Sequence, residues 1–335
     1  MRPMPFVLFS AVALVAQAPT SGDLAQRFNT ELPGINQMLK AFQAQEALVK
    51  MEGLVPAERP AFNGTNFQTI GQSLDNAQGL MSLYRLWANV ASESGQWEKA
   101  LEVQQKRIRA AQAIRADLDR AQAPIAAQWE KASKDSQDAL AKSTARQEEL
   151  QANLKALQED VAAVNGKQKK LDAKGMDELK TRIAKAPQEQ QELDQIIAAL
   201  PVHKQNLASA PKVAKVIADN RKEADTLVKA AEDAAAKAKE VLGSQNDEIT
   251  KFNTGLVIKK VKLVGKKNWV DAVLRNHENI TKLPTTQVQA AFLNRMLVLD
   301  PGNAGAQKAL DSLKQGKEPF AKEAKPAKKG RAKTK

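Results

Sequence analysis

The chain has 335 residues, of which 43% are hydrophobic but only 4% aromatic, so alanine carries much of the apolar content. A composition led by Ala, Gln, Lys, Glu and Leu suits long helices and excludes a thick sheet-built core. The formal charge of +13 is uneven, with eight basic and two acidic residues between Lys317 and Lys335. The absence of cysteine removes disulfides, thiolate chemistry and a cysteine-borne lipid anchor.

Met1-Arg2 followed by the apolar run Phe6–Ala16 is too short for a membrane span and has the form of a secretory signal. Ala16-Gln17-Ala18 supplies an Ala-x-Ala cleavage motif, so residues 1–18 are expected to direct export, most simply to a bacterial periplasm. Pro19 disfavours cutting after Ala18 and leaves cuts after Ala16 or near Gly22 open. Residues 19–96 read as an N-terminal helical region. Asp23–Val55 is one helix or two, with Pro33-Gly34 marking an interruption. A polar loop runs from Pro56 to Asn66, and a further helix from about Phe67 to Ser94.

Residues 97–243 form the longest patterned stretch. Leu101, Ile108, Arg115, Gln122, Trp129, Ser136, Ser143, Leu150, Leu157, Val164 and Leu171 stand seven apart. Their companions lie three residues later at first (Ala111, Leu118, Ile125) and four later afterwards (Leu140, Gln147, Leu154, Val161), a slip near Ala132–Leu140. A sustained seven-residue repeat predicts helices paired along a seam. Lys174-Gly175-Met176-Asp177 is expected to be the turn, with Gly175 ending one helix and Asp177 capping the next; Asn165-Gly166 competes for that role. The return pass carries Met176, Leu179, Ile183, Leu193, Ile197, Leu200 and Leu207, then Val213 to Val241. Pro187, Pro201 and Pro211 predict kinks or restarts in it. The expected fold is therefore all-α, with a long antiparallel, coiled-coil-like helical hairpin. Each pass of about 70 residues would span roughly 100 Å, and a folded-back bundle of shorter helices is the alternative.

Residues 244–267 read as a connector, in which Leu256-Val257-Ile258 and Val261–Val264 fit a short strand pair, helix or packed loop. Residues 268–315 return to short helices, and Lys/Ala/Pro-rich residues 316–335 are expected to be a disordered tail.

Tyr84, Trp87, Ala88, Ala91, Gly95, Trp97 and Ala100 are spaced like the packing residues of a tetratricopeptide repeat, and Asn268-Trp269-Val270-Asp271-Ala272-Val273 echoes Gln96–Leu101. Leu299-Asp300-Pro301-Gly302-Asn303 is similar to the helix-ending Leu-Asp-Pro-x-Asn of that family. The resemblance covers about 268–315 and, more loosely, 67–105. It departs from the family after Trp97, where the second helix does not stop. It implies short helix pairs that contact other proteins, with Tyr84, Trp87, Ala88, Gly95, Trp97, Ala100, Trp269, Ala272 and Pro301 as repeat-packing residues. Two isolated pairs fall short of a self-supporting stack and must lean on the long helices.

No catalytic constellation, phosphate loop or cofactor motif is read from the chain. His203 and His277 lack neighbours at metal-ligand spacing, so no metal, cofactor or enzymatic activity is expected. The expected function is an exported, non-enzymatic scaffold or adaptor for an unidentified protein partner. The alternative is a cell-envelope protein whose tail residues Lys322, Lys325, Lys328, Lys329, Arg331, Lys333 and Lys335 hold an anionic polymer or lipid. Export argues against nucleic acid as the partner, and self-association through the seam is a third expectation.

Overall fold

The computed structural model describes residues 23–56, 59, 61–258 and 265–320. The expected signal segment and tail residues 321–335 lie outside them, as does the second half of the suggested strand pair. Among the described residues every regular element is helical and no strand occurs, so the chain is all-α. The elements are α1 (Asp23–Lys40), α2 (Ala44–Leu54), α3 (Phe67–Glu93), α4 (Trp97–Asn165), α5 (Ala173–Ile258), α6 (Lys266–Arg275), α7 (Glu278–Thr281), α8 (Thr286–Leu299) and α9 (Ala304–Lys314). They divide into two compact units, one made of residues up to Leu118 and from Glu223 on, the other of Asp119–Lys222.

In the first unit, helix starts are set by side chains that accept otherwise unpartnered amides. Asn66 takes the Thr69 amide at 2.9 Å while the Thr69 hydroxyl takes the Asn66 amide at 3.1 Å, a capping box at the head of α3. Thr285 caps α8 and Asn303 caps α9 in the same manner. Two apolar cores result. One gathers Ile35, Met51, Leu83, Leu86, Val103 and Ile114 from α1 to α4, and the other Trp269, Ile280, Leu293, Met296 and Leu310 from α6 to α9, with Ile249 of α5. Each fully buried large side chain contributes about 1.5–3 kcal/mol relative to exposure.

The break near the N-terminus is not at Pro33, which sits inside α1. It falls at Phe42, whose φ of 59° is left-handed; its ring packs against the second core. The stretch expected as a connector, and its first suggested strand, is helix as far as Ile258.

In the second unit, α4 and α5 pair along the predicted face of α4. From Gln122 to Val164 every seam and companion position is buried or half-buried, with Leu150 and Leu157 at the strong end. Cross-helix partners close in steadily. Arg221 and Asp119 are 102 residues apart, Asn206 and Ser136 70, Arg146 and Glu192 46, and Arg182 and Asp160 22. That shrinking separation means that the two segments run in opposite directions here. The Arg146 fork reaches both oxygens of Glu192, at 2.8 and 2.9 Å.

Three expectations for this unit are corrected. α4 ends at Asn165, so the chain turns over residues 166–172 with Lys167 at φ 58°, and Gly175 lies inside α5. The helix start belongs to Asp172, whose carboxylate takes the Gly175 amide at 2.8 Å, and Asp177 is within the helix. No restart occurs at Pro187, Pro201 or Pro211, since α5 runs on through all three. All three are exposed, and the carbonyls they leave without an amide belong to Ile183 and Ile197, which are exposed, and Leu207, which is half-buried; pairing with α4 carries the helix across. The seam on α5 also differs. Leu179, Ala186, Leu193, Leu200 and Leu207, again seven apart, are buried or half-buried, whereas Met176, Ile183 and Ile197 are 36%, 47% and 45% exposed.

Candidate functional site

The most constrained place in the first unit is the turn between α3 and α4. Its backbone is set by Gly95 at φ 78°, with the Gln96 amide donating to the Ala91 carbonyl at 2.9 Å. A helix end leaves carbonyls without intrahelical amide partners; here three consecutive ones receive side-chain donors, and that of Gly95 also takes the Trp97 amide at 3.1 Å. Asn294 of α8 donates to Glu93 O at 2.9 Å, Gln45 of α2 to Ser94 O at 2.8 Å, and Arg295 of α8 to Gly95 O at 3.0 Å.

Arg295 is the hub. It is 1% exposed, and its fork donates to both carboxylate oxygens of Glu98 at 2.7 Å while Nε donates to Gln245 of α5 at 2.9 Å. The guanidinium lies 4.9 Å from the centre of the Trp97 ring. Hydrogen bonding from Arg295 holds the Glu98 carboxyl below the usual carboxylate range, while burial pushes the neighbouring Glu93 carboxyl up. Gly95 has a steric role besides its φ: a Cβ there would lie 2.4 Å from the Arg295 amide nitrogen and 2.6 Å from the Asn294 carbonyl oxygen.

Two open clefts flank this hub and share Val298 of α8. One, about 250 Å³, lies over Phe42, Gln45, Leu297 and Leu310; the other, about 370 Å³, is rimmed by Glu98, Lys99 and Glu102. The first has an apolar floor of Phe42, Leu297, Val298 and Leu310, whereas the second is polar and charged apart from Val298. Neither protein-family models, nor curated proteins, nor solved structures yield a match to this chain.

The sequence-predicted packing residues fall around this turn and its counterpart. Tyr84 stacks on Trp87 with ring centres 6.2 Å apart, and Lys99 and Lys106 approach the Trp87 ring at 5.5 and 5.2 Å. Trp87, Ala88, Gly95 and Ala100 are buried, and Trp97 is half-buried beneath Arg295. In the second core Trp269 is buried and Ala272 half-buried, while Pro301 is exposed at the α8–α9 turn. That turn is held by Asn303, which also donates to Asp271 at 3.0 Å and Asp300 at 2.8 Å. The tail cations Lys322, Lys325, Lys328, Lys329, Arg331, Lys333 and Lys335 lie outside the described residues.

His203 is half-buried, and His277 stacks on Phe320 with ring centres 4.9 Å apart. Among the described residues no group of three or more His, Cys, Asp or Glu side chains could hold a metal ion, and no helix is long and apolar enough to cross a membrane. Sequence reasoning missed Arg295, Asn294, Gln45 and Gln245. The available signal was the polar pair Asn294-Arg295 inside the apolar run Phe292–Leu299. It also missed Arg107, which is 6% exposed, makes its one side-chain bond among the described residues by donating from its fork to Gln104 at 3.4 Å, and has its pKa lowered to about 10 by burial and by Arg85.

Proposed function

We propose that the chain is an exported, non-enzymatic adaptor that binds a protein partner on the α8 side of its first unit. In this reading α3 with the start of α4, and α6 with α8 and α9, act as tetratricopeptide-like pairs, and α4 with α5 form a long antiparallel, coiled-coil-like hairpin that spaces or orients what they hold. The observation that carries the reading is the hub itself. The α3–α4 turn is wired to α2, α5 and α8 by side chains that meet its carbonyls, and Val298 beside it faces two open clefts. Such wiring fixes the shape of a surface.

The test uses the chain from residue 19 on, with and without Lys317–Lys335, as bait in envelope extract at low and high salt. The adaptor reading expects a discrete protein retained at high salt without the tail and lost with Val298→Glu. Retention unaffected by Val298→Glu would refute the assignment of the surface. A second reading rests on the eight basic residues of the last nineteen: capture of anionic vesicles or polymer that requires the tail and collapses with salt would make the tail the functional element. Secretion of a reporter fused after residue 22 tests export.

A further inference from the structure

Of the six exposed large hydrophobic residues among those described, five lie on α5 within the second unit: Met176, Ile183, Ile197, Val202 and Val216. Three of them are spaced as one line. Met176, Ile183, Gln190 and Ile197 stand seven apart, and all are exposed. The parallel line Leu179, Ala186, Leu193 and Leu200 is the one covered by α4. The apolar face of α5 is thus wider than a single neighbouring helix covers, and its open half waits for a second neighbour.

The flank of that open line is self-complementary. Lys180 lies four residues after Met176 and three before Ile183, and Asp194 lies four after Gln190 and three before Ile197, so both border the line. Each is seven residues from Pro187. Both are exposed, and among the described residues their side-chain bonds are local, Lys180 to Asp177 at 3.4 Å and Gln190 to Asp194 at 2.9 Å. On the same flank Ala184 and Ala198 are small and exposed, permitting close approach.

We propose that this face of α5 docks a second copy of the chain, antiparallel and centred on Pro187. Turning one copy about that centre sets Lys180 level with the partner's Asp194 and brings Met176 within one residue of the level of the partner's Ile197, and each contact occurs twice. A parallel arrangement places like charges on the same level, which is why the antiparallel one is favoured. The inference stands apart from the adaptor reading, because a chain that binds its partner as a monomer keeps that reading and loses this one.

The test is sedimentation velocity on the full chain over a concentration series, with circular dichroism to confirm that each variant keeps its helix. The wild type is expected to dimerise. Ile183→Glu abolishes dimerisation, and Lys180→Asp weakens it by on the order of tenfold, whereas Lys180→Asp combined with Asp194→Lys restores it. Val202→Glu, 56% exposed but off the line, leaves it unchanged. Because the chain lacks cysteine, Lys180→Cys and Asp194→Cys chains can be mixed and oxidised; the cross-linked product is the mixed dimer. A wild type that stays monomeric at every concentration, a dimer indifferent to Ile183→Glu, failure of the double charge swap to restore, or self-linking of Lys180→Cys alone overturns the proposal.

Discussion

Replacing Arg295 with Met keeps the length and apolar stem of the side chain and removes its five donors. The Gln245 side-chain oxygen would then be a buried acceptor without a donor, beside an Nε2 that already has no partner, and the Gly95 carbonyl would keep only the Trp97 amide at 3.1 Å. Stranding a buried acceptor costs about 1–3 kcal/mol. Glu98 behaves differently: its side chain is 55% exposed, so its carboxylate regains water and adds little. The expected loss is therefore about 2–4 kcal/mol, from one stranded acceptor and one carbonyl that loses its stronger donor. Urea titration followed by tryptophan fluorescence reports on the right region, since Trp87, Trp97 and Trp269 all belong to the first unit. With a denaturant slope of about 2–3 kcal/mol/M the midpoint should fall by about 1–2 M. Glu98→Gln and the double variant complete a cycle, in which residues sharing two 2.7 Å bonds should couple by about 1–3 kcal/mol. A midpoint unchanged in Arg295→Met, or strict additivity in the cycle, would refute the hub.

Gly95→Ala should be as damaging, because its Cβ would meet backbone atoms of α8 rather than a movable side-chain end and would sit at a left-handed φ. About 3–4 kcal/mol is expected, read from the same titration. Arg107→Met should instead stabilise by about 1–3 kcal/mol, since it removes a buried charge that has no carboxylate partner; a lower thermal midpoint would contradict this. The two carboxyls at the turn should leave opposite marks on acid unfolding. Glu98 is held low, so its contribution is complete above its unfolded value of about 4.5 and is lost as pH falls below it. Glu93 is pushed up, so its ionisation is a cost at neutral pH that is relieved as pH falls through its folded value. Glu93→Gln should therefore stabilise at pH 7 and gain nothing near pH 4.

The helical class and the face of α4 were legible because a strict seven-residue repeat is a geometric statement about one side of a helix. The same logic misread α5. There the apolar residues form two adjacent lines, and periodicity alone does not say which of them meets α4. The turn was misplaced because two glycine sites compete, and the outcome rests on which carboxylate reaches an amide: Asp172 reaches that of Gly175. The prolines predict kinks or restarts because their cost is local, whereas the interhelix contacts that carry α5 through them come from residues scores of positions away. Gly95, Trp97 and Ala100 were found as a motif, but the reason for Gly95 was only half visible. Its φ can be guessed from a turn; the approach of Asn294 and Arg295, some 200 residues later, cannot.

The hub also separates two uses of buried charge. A buried ion pair can often be exchanged for apolar side chains without loss, because its desolvation offsets its attraction. That exchange is not open at Arg295. Even with Glu98 and Arg295 both made apolar, the buried carbonyl of Gly95 would lose its side-chain donor and keep only the Trp97 amide, at 3.1 Å. The Glu93 carbonyl depends likewise on the side-chain donor of Asn294. What the polar pair on α8 supplies is a set of donors at fixed positions, and those positions tie the α3–α4 turn to α8 in one arrangement. An apolar contact of equal area would hold the helices together but would tolerate sliding. For a surface whose proposed task is to present Val298 and its flanking clefts in a constant shape, the directional bonds are the feature that hydrophobic packing does not replace.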